Sequence, residues 1–256
     1  MDILKSRSSK VLLLVTSLFL ALSCKKDKSL ETGKGRVSFR FENSAQGIPL
    51  QLEKKYTNPL GEDYTVTTLK YHISDITISD SSKNTSREKT CCHLLDASDS
   101  ASLHFDAQLD EISFDRVSFI IGVDSLYNVS GAQTGALDPV HGMFWTWNTG
   151  YIMAKLEGES SVSSAPVSRF QYHIGGYAGS VATQRKVTLT FPGGRSYSLK
   201  ANQPLTMIID VNIDKWFLSA HDLPIASQPL VMTPGPLAMQ YADNYACLFN
   251  VKEVQP

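Results

Sequence analysis

Apolar and polar residues alternate with a period of two through most of this chain. Val37, Phe39 and Phe41 alternate with Ser38, Arg40 and Glu42, and Leu69, Tyr71 and Ile73 alternate with Lys70, His72 and Ser74. That period places one set of side chains on one face of a strand. The phase slips before Ile76 and Ile78, which predicts a bulge at Asp75. Val117, Phe119 and Ile121, then Val187, Leu189 and Phe191, mark two more strands. LTMIIDV at 205–211 reads as a more fully buried run, and 246–251 as a last strand. Valine, threonine and aromatics fill these runs, as half-buried strands require. Asn58-Pro59, Leu60-Gly61, Pro192-Gly193-Gly194 and Pro234-Gly235-Pro236 punctuate them as turns. No segment carries a long stripe of period 3.6. One short helix is predicted over 214–218 with Asp214 as its N-cap, and another over 236–241. The polar stretches 81–89 and 157–168 read as long surface loops. The pattern therefore predicts an all-β chain: an antiparallel β-sandwich with long inserted loops and one or two short helices. A barrel is the alternative that alternation leaves open.

The N-terminus breaks this pattern. Lys5, Arg7 and Lys10 precede a twelve-residue apolar run at 11–22, and Ser23-Cys24 follows at once. The run is too short to span a bilayer and reads as a signal peptide. A cysteine after a small residue at the cleavage point resembles a bacterial lipoprotein signal, with Cys24 becoming the lipidated first residue. The organisation expected is a signal peptide at 1–23, a flexible tether at 24–35 and one domain at 36–256. The expected location is the cell envelope, on the membrane through acyl chains at Cys24, with the outer membrane as candidate and the leaflet undetermined.

Composition narrows the function classes. The formal charge is −1, and it falls to −3 once residues 1–23, with three basic and one acidic side chain, are removed. Such a balance gives no electrostatic footprint for nucleic acid. Cys91, Cys92 and Cys247 remain besides Cys24. Outside the cytoplasm thiols oxidise, so Cys91 or Cys92 is expected to pair with Cys247. Cys-Cys-His at 91–93 leaves a thiolate metal site as the alternative.

The segment 122–158 stands apart. It begins on a strand, runs through some twenty residues rich in Gly, Asn, Asp and Ser, and closes on Phe144, Trp145, Trp147 and Tyr151. A loop of that length in a compact domain is functional or disordered, and the aromatics argue for order. Farther on, Tyr172-His173-Ile174-Gly175-Gly176 sets a histidine at a strand end beside glycines.

The blocks LKYHISDITI (69–78), GVDS (122–125), MFWTWNTGY (143–151), KLEG (155–158) and YHIG (172–175) resemble, in order and spacing, the copper-binding MbnP-like domain family. The resemblance spans roughly 36–252 and is nearest the lipoprotein branch of Bacteroidetes-type bacteria. It implies an extracytoplasmic β-sandwich that binds copper in uptake, storage or delivery, and that is not itself an enzyme. In the characterised branch a di-haem enzyme of the cytochrome-peroxidase type oxidises a tryptophan to kynurenine, which joins histidines at the metal. A di-haem partner of that kind, or an outer-membrane transporter, is therefore the expected partner. Carried onto this chain, the metal residues are His173, His141 and Met143, with Trp145 and Trp147 as oxidisable or shielding aromatics. The copper-binding branch has a histidine after the asparagine that follows the GV block; Val129 stands there, and His141 is the imidazole available in its place.

Plainer readings stand beside these. His173 as a core histidine, Met143 as core, His141 in a surface turn, His72 as a cross-strand surface residue and His93 as structural all suit their sequence context. Asp124, Asn128 and Asp138 form a candidate calcium set that would order the loop. No G-x-S-x-G elbow, H-E-x-x-H or P-loop occurs. The alternative function is a metal-free surface recognition or adhesion lipoprotein that uses the 122–158 aromatic loop.

Overall fold

The computed structural model describes residues 33–146 and 150–256. Ten strands of five residues or more carry the fold. They are β1 (Lys34–Ala45), β2 (Asp63–Ser79), β3 (Cys92–Asp96), β4 (His104–Asp110), β5 (Arg116–Ile121), β6 (Gly150–Glu159), β7 (Arg169–Gly175), β8 (Arg185–Thr190), β9 (Leu205–Asn212) and β10 (Phe249–Gln255). In the smaller sheet β10, β9 and β1 lie side by side, and β4 pairs with the other edge of β1. In the larger sheet the order is β8, β5, β2, β6, β7, closed by the two-residue strand Leu230–Val231.

The two inner faces meet as the alternation predicts. Phe41 and Phe249 of the small sheet interleave with Tyr71 and Phe119 of the large one, with ring centroids 5.2–6.4 Å apart. Each such ring contributes roughly 1.5–3 kcal/mol by leaving water. The result is the all-β sandwich expected. Two pairings depart from strict antiparallel order: β1 with β9, and β7 with Leu230–Val231, are parallel. Side-chain alternation is the same in both senses, so it carries no record of direction.

β2 is the spine of the large sheet. Its first half pairs with β6 and its second half with β5, and the register shifts between Ser74 and Thr77. Asp75 sits there with φ 55°, so the bulge lies where the phase slip put it. β6 carries a second shift between Ile152 and Ala154. The bulges curl the sheet and splay its strand ends.

Other local expectations change. The predicted loop at 81–89 contains the short strand Thr85–Arg87, because buried Ser86 exchanges hydrogen bonds with Asp110 at 2.6 and 2.9 Å. β6 runs on to Glu159, three residues into the second predicted loop. The turn near 214 is a 3-10 helix, Ile213–Trp216, capped by Asn212 and not by Asp214. The Asp214 carboxylate instead accepts from Gln46 N (2.7 Å) and Tyr64 Oη (3.1 Å). The second helix, α2 (Pro236–Tyr245), is longer than expected, and a further one, α1 (Ser125–Val129), opens the long loop behind an Asp124 cap.

Candidate functional site

β7 alternates strictly. Phe170, Tyr172 and Ile174 point into the sandwich, so Gln171 and His173 stand on the outer face of the large sheet. Opposite them on β6 lie Glu157 and Lys155. His173 Nε2 lies 2.5 Å from Glu157 Oε1. A carboxylate only accepts, so Nε2 carries the hydrogen and the lone pair of the neutral ring is on Nδ1. No described residue bonds that nitrogen. The same hydrogen bond draws the Glu157 carboxyl down to about 2, against an ordinary 4.5. An imidazole oriented by a carboxylate on its far nitrogen is the arrangement that tunes metal-bound histidines.

Trp145 reaches the same face. Its ring atoms Cζ3 and Cη2 would lie 2.6–2.7 Å from a Cβ on Gly175. Only a residue without a side chain lets the indole rest on the strand, two positions beyond His173. The histidine-then-glycine spacing of the YHIG block thus has a packing cause. The indole borders a cavity of about 350 Å³ lined also by Gly176, Tyr177, Val181 and Pro234. A larger groove, about 690 Å³, lies around Arg40, Glu42 and Lys252 of the small sheet. Its charges satisfy one another, Glu42 taking Lys252 at 2.7 Å and Arg40 at 3.2 Å.

The long loop is pinned from beneath by buried polar groups. Asn128 donates through Nδ2 to Val123 O (2.8 Å) and Asp124 O (3.1 Å), and its Oδ1 accepts from Tyr151 N at 3.0 Å. Tyr151 Oη donates to Leu137 O at 2.8 Å. His72 is fully buried under the loop, not on the surface as its polar phase suggested. Its Nδ1 lies 3.0 Å from Ile152 O and its Nε2 3.2 Å from Ala136 O. Burial holds it at about 4, below the usual 6.5.

The remaining candidates are placed as follows. His141 is exposed in a turn, with Nε2 3.0 Å from Gly135 O. The Lys155 ammonium, cross-strand from His173, reaches Gly142 O at 2.5 Å, and Lys70 Nζ reaches His141 O at 3.3 Å. Two ammonium groups therefore fill the ground next to His141 on the His173 side, and burial lowers the pKa of Lys155. Met143 is 1 % exposed in a small apolar cluster with Trp145, Ile152 and Leu94. Trp147 and Cys24, and with it the signal peptide, lie outside the described residues.

The expected disulfide is not formed: Cys91, Cys92 and Cys247 are free. Cys92 is on β3 beside β2, whereas Cys247 follows α2 on the way to the other sheet, with Sγ 3.5 Å from Asp243 O. The candidate calcium set does not converge either. Asp124 and Asp138 cap Leu126 N (2.8 Å) and Val140 N (2.9 Å), and the Asn128 amide is spent as above. Among the described residues no group of three or more His, Cys, Asp or Glu side chains is arranged to hold a metal. Glu157 is the site residue that sequence reasoning passed over; its pairing with His173 follows only from the β6–β7 register.

Fold and site together define an all-β sandwich-like protein with an imidazole, a carboxylate and an indole gathered on the outer face of one sheet. The family model MbnP matches residues 34–233, and the chain belongs to that family, which is associated with copper. Among solved structures it is similar to MbnP from Methylosinus trichosporium. That similarity has 12 % identity, covers 74 % of this chain and 80 % of the other, and reaches a TM-score of 0.53, a likeness of fold. No curated protein matches the chain.

Proposed function

We propose that this chain is a lipid-anchored, extracytoplasmic copper-binding protein serving copper uptake, storage or delivery, and not an enzyme. One observation carries the reading: His173 sits beside the Trp145 indole with Nε2 held by Glu157, which leaves Nδ1 to ligate. Imidazole suits copper, and Glu157 keeps its charge throughout the neutral range and fixes the tautomer and orientation of the ring. Membership of the MbnP family supports the same metal.

Trp145 is nearly buried, so its oxidation by a di-haem partner would proceed by electron loss across a docked surface. Leu126 and Val129 of α1 and Val140 in the following turn are 65–80 % exposed. Ser125 Oγ, at the start of α1, donates to Tyr177 O at 3.0 Å, which sets the helix beside the cavity that Trp145 lines. Exposed apolar side chains beside a functional cavity favour a protein partner there. The test is metal content. Protein isolated from its own cells should carry about one copper per chain, and His173→Ala should lose it. Wild-type protein that takes up no copper overturns the reading.

A further inference from the structure

The edge of the large sheet beside His173 is closed by residues 229–234. Gln171 N donates to Pro229 O at 2.8 Å, Gln171 pairs with Leu230, and Tyr172 pairs with Val231. Four residues on, Pro234 Cβ lies 3.3 Å from where a Cβ on Gly176 would stand. The segment therefore runs alongside β7 at both ends of this stretch, and the register carried one residue past Val231 brings Met232 level with His173. Alternation assigns the faces. Val231 is buried with Tyr172 in the core, Leu230 lies 43 % exposed on the side of its partner Gln171, and the same alternation continued to Met232, 39 % exposed, turns it to the side of His173.

We propose that Met232 supplies a thioether to the metal beside His173, making an imidazole–thioether pair for monovalent copper on the outer face of the large sheet. The inference rests on the copper reading of that face and adds a ligand that neither the motif blocks nor the family match assigns. Neighbouring strands lie about 4.8 Å apart. First-row metals bind nitrogen at about 2.0 Å and sulfur at about 2.3 Å, so one ion spans that gap. Methionine's three rotatable bonds let its sulfur settle to the ion, and thioether selects Cu(I). Met143, the other methionine near the indole, is walled in by Trp145, Ile152 and Leu94. Charge agrees with the oxidation state: Lys155 flanks His173, and its repulsion of a monovalent ion is half that of a divalent one.

The experiment uses protein purified from its own cells, stripped of metal and loaded anaerobically with Cu(I) alone. X-ray absorption at the copper edge should show a sulfur scatterer at about 2.3 Å. That scatterer should vanish in Met232→Leu and persist in Met143→Leu. Met232→Leu should also weaken Cu(I) binding by about 10-fold or more. Cu(I) should slow oxidation of Met232 by peroxide, mapped by mass spectrometry. Loss of copper in His173→Ala, with no sulfur scatterer in wild type or with one that survives Met232→Leu, overturns the Met232 assignment and leaves the copper reading standing. No Cu(I) binding by the wild type overturns both.

Discussion

Replacing His72 by glutamine separates one buried titration from the rest of the acid response. The His72 ring touches two carbonyl oxygens, Ile152 O and Ala136 O, at 3.0 and 3.2 Å. A neutral imidazole has one N–H and serves one of them; the imidazolium would serve both. Burial outweighs that gain, and nearby His141 adds repulsion, so the folded ring titrates at about 4, where the ordinary value is 6.5. The folded value is depressed, so the unfolded chain takes up its proton first as pH falls. The stability owed to the neutral ring is whole above 6.5 and is lost progressively down to about 4. The full span is worth about 3 kcal/mol, of which about 2.5 kcal/mol is gone at about pH 4.5. Urea unfolding at about pH 7.5 and about pH 4.5 gives the test, read as the wild-type-minus-variant difference so that other titrations cancel. The margin of wild type over His72→Gln should shrink by about 2.5 kcal/mol on acidification. A margin equal at both pH values would refute the assignment of a neutral, proton-excluding ring.

Three further outcomes follow from the site. Glu157→Gln removes the carboxylate that fixes the His173 tautomer and should weaken copper binding by about 10–100-fold in a chelator competition, while leaving the fold intact. Gly175→Ala sets a methyl 2.6 Å from the Trp145 ring; the indole must move, at a cost of about 1–3 kcal/mol in denaturant unfolding with a changed tryptophan emission. An unchanged spectrum would place the indole elsewhere. Asn128→Ala leaves Tyr151 N without its acceptor and takes one of two donors from each of Val123 O and Asp124 O, which keep Gln184 Nε2 (3.2 Å) and Asn128 N (3.1 Å); it should cost about 1–3 kcal/mol and open the 122–142 loop to limited proteolysis.

The strands were legible because burial on one face writes period two into the sequence, and even the Asp75 bulge left its mark as a phase slip. Direction was not, since Val37, Phe39 and Phe41 alternate identically whether β9 runs with β1 or against it. The site was legible in part. The residues of MFWTWNTGY and YHIG named His173 and Trp145, and Gly175 is where the two blocks touch. Glu157 and Met232 escaped, because a cross-strand or edge-strand neighbour is set by register and not by spacing along the chain. His72 was misplaced for a related reason. Its polar phase set it on the outer face, but alternation cannot tell which outer face a long loop will cover. The thiols misled through compartment logic: oxidising surroundings favour disulfides, but Cys92 and Cys247 are carried by elements that do not approach.

The proposed copper site centres on His173, two residues along β7 from the glycine that carries the Trp145 indole. Anomalous diffraction at the copper edge, from crystals grown with Cu(I), tests it most directly. The predicted result is one peak about 2 Å from His173 Nδ1, on the outer face of the large sheet between the indole and the 229–234 edge. A peak at Cys91 or in the groove around Glu42, with none at His173, would contradict it.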